Sequence, residues 1–448
     1  MATIEHILNS VKDKNQNETE FHQAVEEVFN SIKPILKQNK QYINEKVFER
    51  LCEPERTISF KVCWTDDQNQ VQVNKGYRVQ MNSAIGPYKG GLRFHPSVNQ
   101  SILKYLAFEQ TFKNALTGLP LGAGKGGADF DPKGKSDTEI MHFCQAWMME
   151  AYRHIGHFTD VPAGDMGVGE KEIGYLFGAF KKIKNEFQGT LTGKGLDWGG
   201  SQLRTEATGY GLIHFAQFML SEIDETLENK TCLVSGAGNV SQYAIEKLLH
   251  EKAKVVAFSD STGFIYDPDG MDENKLDFLK SIKNHHKKSI AAYSKKFSNS
   301  SFSKSQNKNM WSIPADCAFP CATQNELHES DAKTLRNNGL ILLAEGANMP
   351  VSSKAISYLQ KTNILFGPGK AANAGGVAVS GLEITQNRQG NYWTRITLEK
   401  ELRTIMKSIH EKCQETILLH QLKPNDYQNA SNIGAFEKVA RAMIAQGV

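Results

Sequence analysis

The segment Leu121-Gly-Ala-Gly-Lys125-Gly-Gly-Ala-Asp129 sets one lysine among four glycines, Gly122, Gly124, Gly126 and Gly127. Without side chains on its flanks, backbone can approach a ligand closely, and positive φ angles carry no strain. A lysine held there loses water contacts, and burial or a neighbouring cation lowers its pKa toward the working pH. Such an amine exchanges protons with a substrate amine or a carbonyl hydrate. The plain alternative is a glycine-rich turn with a solvated lysine. A second lysine, Lys89, stands beside Gly90 and Gly91 in a turn-rich segment, 86–96, whose plain reading is a surface loop. On the helix expected over 101–116, Gln110 and Lys113 are three apart and share a face, so they could grip one carboxylate. Asp165 lies in a loop of small residues, 160–169, and would form with Lys125 an acid–base pair of coupled titration. Its plain reading is a turn or cap before a helix over 170–182. Three lysines placed in this way suit a small dianion, and the carboxylate suits proton transfer.

These residues need elements to hold them. Apolar positions Phe21, Val25, Val28, Phe29 and Ile32 follow a helical rhythm over 21–36. Alternation over 56–64 predicts a strand, with 71–73 and 77–81 as a following antiparallel pair. A Met- and aromatic-rich helix over 138–154 is ordinary core. His154 and His157 lack a third ligand, so no metal is expected. Glycines cluster again over 192–200, a candidate hinge or linker.

The second half reads as a nucleotide module. Thr231-Cys-Leu-Val-Ser-Gly236-Ala-Gly238-Asn239-Val240-Ser241 opens a helical pattern, and 253–260 is a second buried strand ending at Asp260. A strand, a G-x-G-x-x-S turn, a helix, a strand and then an acidic residue form the dinucleotide pattern. Gly236 and Gly238 let backbone N–H groups and the helix start meet a pyrophosphate. Asp260 would suit the ribose hydroxyls of NAD, whereas Lys283, His286, Lys287 and Lys288 would meet the 2′-phosphate of NADP. A Ser-, Asn- and Lys-rich stretch, 295–309, reads as a mobile surface loop. A long helix is expected over 398–420, and a last helix after Pro424 returns to the first domain.

With 448 residues, two domains are the default. Lys plus Arg (52) nearly balances Asp plus Glu (49), and the net charge of +3 argues against nucleic acid as a main partner. The start, Met1-Ala-Thr-Ile-Glu-His6, has no secretory pattern, and no apolar run would span a membrane. The seven cysteines read as reduced and structural, Cys317 and Cys321 included, which fits a cytoplasmic protein.

Several long segments carry a resemblance: 86–94, 119–127, Val161-Pro-Ala-Gly164-Asp165-Met166, Ser201-Gln-Leu-Arg204-Thr-Glu-Ala-Thr208-Gly-Tyr-Gly211, Cys321-Ala-Thr-Gln-Asn-Glu326-Leu327 and Ala372-Asn373-Ala-Gly-Gly-Val377. Through them the chain resembles, end to end, the hexameric glutamate dehydrogenases of roughly 450 residues from bacteria and fungi. The resemblance implies an α/β fold of two domains with a cleft between them. Residues 1–200, joined by 424–448, would form the substrate and oligomerisation domain, and 201–423 a Rossmann-like, doubly wound dinucleotide-binding domain. The implied reaction is reversible oxidative deamination of L-glutamate to 2-oxoglutarate and ammonium through iminoglutarate, in a cytoplasmic homohexamer. Lys89 and Ser380 would bind the side-chain carboxylate, Gln110 and Lys113 the α-carboxylate. Lys125 would activate water, and Asp165 would assist proton transfer to the amino group. Gly164 counts with the substrate residues, and Asn373 would meet the substrate's reacting end. Thr208 and Asn239 would contact the nicotinamide half of the cofactor and Asn348 its ribose, with Arg204, Gly236, Gly238, Val240, Asp260 and Lys283 completing its site. The related leucine and phenylalanine dehydrogenases carry an apolar residue where Lys89 stands, which favours glutamate. Ser259-Asp260-Ser261 resembles the NADP-using members. NADP is expected, with NAD preference or dual use as the alternative, and a non-catalytic nucleotide-binding regulator as the alternative of another class.

Overall fold

The computed structural model describes residues 4–286, 288–304 and 309–448. The chain divides into two compact units, Met1–Arg204 with Val377–Leu398 and Asn432–Val448, and Thr205–Gly376 with Glu399–Ser431. The division of the main run falls after Arg204, and the glycine cluster of 192–200 belongs to the first unit. Hydrogen bonds hold that cluster in place: Thr192 donates its N–H to Pro162, and Gly200 donates to Gly195.

The first unit is built on a five-stranded sheet of order β1-β2-β4-β3-β5. Its strands are β1 (Arg56–Thr65), β2 (Val71–Asn82), β3 (Tyr88–Phe94), β4 (Ala123–Ala128) and β5 (Asp160–Gly164). The two short runs expected at 71–73 and 77–81 are one strand, antiparallel to β1 from end to end. The segments read as loops or turns around Lys89, Lys125 and Asp160 are the three strands at the other side of the sheet. Their glycines disfavour a strand by propensity, but here they serve close packing. A Cβ on Gly90 would lie 1.7 Å from the carbonyl oxygen of Gly124. Only backbone fits, so the ladder forms where side chains are absent.

Helices Gln100–Leu116 and Asp137–Ala151 lie in this unit, and the first places Gln110 and Lys113. Asn99 caps the first by accepting from the N–H of Ile102, and Ser136 with Glu139 forms a capping box on the second. Phe94, Phe130, Phe143 and Trp147 are in the buried core beneath.

The second unit carries a seven-stranded sheet of order β12-β11-β10-β6-β7-β8-β9. The strands are β6 (Thr231–Val234), β7 (Lys254–Asp260), β8 (Gly263–Tyr266), β9 (Ser301–Lys304), β10 (Cys317–Phe319), β11 (Leu342–Ala344) and β12 (Leu365–Gly367). Five are parallel, and β8 and β9 extend the sheet as antiparallel strands. This is the doubly wound arrangement, with β6 and its helix Asn239–His250 at the centre. The stretch expected as a loop over 295–309 instead contains β9, after a short helix Ala291–Lys296. Its residues 305–308 lie outside the described residues, as does Lys287. The two last long helices run Arg395–Leu419 and Tyr427–Gln446. Among the described residues, no helix is long and apolar enough to cross a membrane, and all seven cysteines are free, with six of them buried.

Candidate functional site

In the first unit, the register of the sheet brings the chemistry together. Lys125 in β4 is buried and pairs across from Val79, while Gly91 in β3 pairs with Ala163 in β5. Asp165 follows β5 directly. A Cβ on Gly91 would sit 2.8 Å from the Cβ of Asp165, so glycine there is what lets the aspartate lean over the sheet. Lys125 Nζ lies 3.1 Å from Asp165 Oδ2. Arg93, in β3, donates its Nε to the same oxygen at 2.8 Å. Burial pulls the Lys125 ammonium below its ordinary value; Asp165 opposes this and Arg93 reinforces it. Burial would raise the Asp165 carboxyl, but Lys125 and Arg93 together hold it far below the usual carboxylate range. The helix beyond is capped by Gly169, so Asp165 is not its N-cap.

Lys89 is fully buried, and burial pushes its ammonium well down, with Arg204 and Arg78 acting the same way and Glu383 and Asp160 opposing. Arg78 and Asp160 are themselves a fully buried pair at 2.5 Å, and Arg78 also donates Nη1 to Gly90 O at 3.2 Å. Asn114 ties the Lys89 strand to the Lys125 strand by donating to Lys89 O at 3.1 Å and to Gly122 O. Gln110 donates to Asn114 Oδ1 at 2.6 Å, while Lys113 is only half-buried on the same helix. Ser380 is buried in the first unit, on the helix Gly375–Gln389. Gly164 ends β5 opposite Leu92.

Arg204 departs from the sequence expectation. It falls in the first unit rather than with the nucleotide module, and its charge acts on Lys89 and Glu383. Its Nε is enclosed without a hydrogen-bond partner. An enclosed, unpaired donor next to Lys89 suits an anion.

The second unit carries the nucleotide features. Gly236 takes a left-handed φ of +85°, and its N–H is held by Ser259 Oγ at 2.9 Å. A Cβ on Gly238 would meet nothing within 4 Å, which leaves the start of helix Asn239–His250 open to a phosphate. Glu326 Oε1 accepts from Ser235 Oγ at 2.8 Å and from Ala322 N at 3.0 Å, which holds the 321–323 backbone against this turn. Asn239 donates to Thr205 O at 2.6 Å, Thr208 stands in the first turn of helix Ala207–Ser221, and Val240 opens the helix after Asn239. Asn373 is 5% exposed and donates to Ala347 O at 2.8 Å and Asn348 Oδ1 at 3.3 Å. Its own Oδ1 is enclosed without a partner. The open glycine turn and this orphaned acceptor fit a dinucleotide that presents a pyrophosphate and an amide N–H.

Asp260 also departs from expectation. Oδ1 accepts from Thr262 N at 2.8 Å and Thr262 Oγ1 at 2.6 Å. Oδ2 accepts from Lys283 Nζ at 2.9 Å and Ile290 N at 3.1 Å. A carboxylate offers about four lone-pair sites, and the protein itself uses all of them. Despite a desolvation that would raise it, those bonds hold the carboxyl below its ordinary value. Asp260 therefore anchors Lys283 and its turn, and it has no free acceptor for ribose hydroxyls.

Arg93, Arg78, Asp160 and Glu383 join these sites only in the fold. A signal existed only for Arg93, a charged residue within a run of small and apolar strand residues.

Comparison with known proteins bears on the same regions. The family described as Glutamate/Leucine/Phenylalanine/Valine dehydrogenase matches residues 199–447, and the Glu/Leu/Phe/Val dehydrogenase dimerisation domain matches 54–182. An NADP-specific glutamate dehydrogenase of Haemophilus influenzae is 54% identical, covering 100% of this chain and 99% of that protein. An NAD(P)-specific glutamate dehydrogenase of Xylanibacter ruminicola is 52% identical, covering 99% of each. The crystal structure of Plasmodium falciparum glutamate dehydrogenase superposes with a TM-score of 0.97 at 50% identity, covering 99% of this chain and 94% of that one.

Proposed function

The chain belongs to the glutamate/leucine/phenylalanine/valine dehydrogenase family, and within it we propose an NADP-dependent glutamate dehydrogenase that interconverts L-glutamate with 2-oxoglutarate and ammonium. The observation that carries the reading is the buried Lys125 on Asp165, with a second buried lysine, Lys89, in the neighbouring strand.

Lys89, with Ser380, receives the side-chain carboxylate, and Arg204 adds a second cation there. Gln110 and Lys113 hold the α-carboxylate. Binding a dianion is favourable because it neutralises cations already stripped of water. NADP, when bound, supplies the hydride acceptor. Gly236, Gly238 and the helix start at Asn239 and Val240 would hold its pyrophosphate, Thr208 would line its nicotinamide half and Asn348 its ribose, and Asn373 stands at the substrate's reacting end. Lys283, His286 and Lys288 would meet its 2′-phosphate. Asp260 supports this choice by holding Lys283 without itself facing a ribose.

Proton movement falls to the Lys125–Asp165 pair. The free amine of Lys125 takes a proton from the water that adds to the imine carbon, which gives the carbinolamine. Asp165 exchanges the proton of the substrate's amino group. At 3.1 Å the two titrate together: once Lys125 is neutral, Asp165 keeps only Arg93 of its two cations and becomes the better base. Assembly as a homohexamer and a cytoplasmic setting belong to the same reading. Incubation with 2-oxoglutarate, NADPH and isotope-labelled ammonium tests it. Labelled L-glutamate in the product supports the reading, and its absence removes it.

A further inference from the structure

The helix Gly375–Gln389 carries, three residues beyond Ser380, the carboxylate of Glu383, which is wholly buried. Residues three apart on a helix share a face, so Ser380 and Glu383 look the same way. Glu383 Oε1 lies 2.7 Å from Lys194 Nζ, in a pair whose side chains are 0% and 1% exposed. Glu383 Oε2 accepts from Gly193 N at 2.9 Å. Lys194 Nζ also donates to Leu191 O. One turn further along, Gln386 donates to Ser201 Oγ at 2.7 Å and Asn387 donates to Gly199 O at 2.8 Å. The helix is thus fastened to the segment 191–201, which leads directly to Arg204.

Lys89 and Arg204 both lie in the field of this one acid. Asp160, the other buried acid near Lys89, is already paired with Arg78. We propose that Glu383 is a positioning residue for recognition of the substrate's distal carboxylate: through Lys194 and Gly193 it fastens the segment that leads to Arg204 against the helix that carries Ser380. Lys194 satisfies Glu383 directly, so Lys89 and Arg204 remain available to a second anion, the substrate. With Glu383 neutral, Lys194 becomes a buried ion without a partner and must move or discharge. Either response disturbs the wall that holds Arg204.

This rests on the glutamate dehydrogenase reading, and the test separates the two. The measured quantity is the ratio of kcat/KM for 2-oxoglutarate to that for 2-oxopentanoate, which has the same carbon chain without the distal carboxylate. In Glu383→Gln this ratio falls about tenfold or more, as expected when one partner of a buried charge pair is removed, while KM for NADPH stays near that of the parent. A merely structural pair lowers the unfolding temperature and leaves the ratio unchanged, and that result overturns the proposal. Should Glu383→Gln fail to fold, the double variant Glu383→Gln/Lys194→Gln, which leaves no unpaired ion, is judged by the same ratio. Should that fail too, Glu383→Asp, which keeps the charge but draws it back by one methylene, decides. If the parent protein shows no preference for 2-oxoglutarate, the function reading fails, not this inference alone.

Discussion

Asp165 Oδ2 is shared by two cations, Lys125 at 3.1 Å and Arg93 at 2.8 Å. A carboxylate held by two donors keeps its position while one of them gains or loses a proton. This arrangement suits the proposed proton cycling of Lys125. Lys125→Ala should lower kcat by about 10²–10⁴-fold, the range for loss of a general acid–base group, while NADPH still binds in a fluorescence titration. Asp165→Asn should also lower the deamination rate. A deamination rate equal to the parent's would remove Asp165 from proton transfer.

The pH profile should report Lys125. In the proposed mechanism its neutral form is the base, so deamination should rise with pH through its folded value, which burial sets below the ordinary lysine value. Three charged groups act on it: Asp165 raises that value, and Arg93 and Arg78 lower it. Removing Arg93 takes away a cation that favours the neutral amine, so in Arg93→Gln the rising limb of kcat/KM moves to higher pH. A shift to lower pH would contradict the assignment.

Lys89 is the selectivity prediction. Lys89→Met should lower kcat/KM for 2-oxoglutarate by about 10²-fold or more, because Arg204 and Ser380 are left without their central cation. Turnover of 2-oxopentanoate should fall far less. Equal losses on both substrates would mean that Lys89 serves the whole site and not the distal carboxylate.

Cofactor choice should follow Lys283. Lys283→Gln is expected to raise KM for NADPH about tenfold, as for loss of one charge-assisted contact to phosphate, with little change for NADH. Parallel steady-state assays decide it. If both cofactors are affected alike, the 2′-phosphate lies elsewhere.

The lysines were legible before the strands that hold them. Lys89 and Lys125 stand out because glycine surrounds them, yet that same glycine hides β3 and β4 from any reading based on strand propensity. The reason is packing: Gly90 is required by the carbonyl of Gly124, which lies 34 residues further along the chain. The β6 turn and its helix were legible because their pattern is local. The counter-charges were not. Asp160 meets Arg78 across 82 residues, and Glu383 meets Lys194 across 189. Arg204 closes the first unit where the nucleotide half begins, so its sequence position does not show that its charge acts on Lys89. Asp260 stands at the end of β7, where an acid would suit a ribose in the NAD alternative, whereas Thr262, Lys283 and Ile290 exhaust its oxygens only in the fold.

The most direct test of the account is the loss of reduced-nicotinamide absorbance when the purified protein meets 2-oxoglutarate and ammonium, with NADPH and NADH in parallel. Ammonium-dependent oxidation is expected, faster with NADPH than with NADH. No ammonium-dependent oxidation of either, by a protein that still binds NADPH, would contradict it.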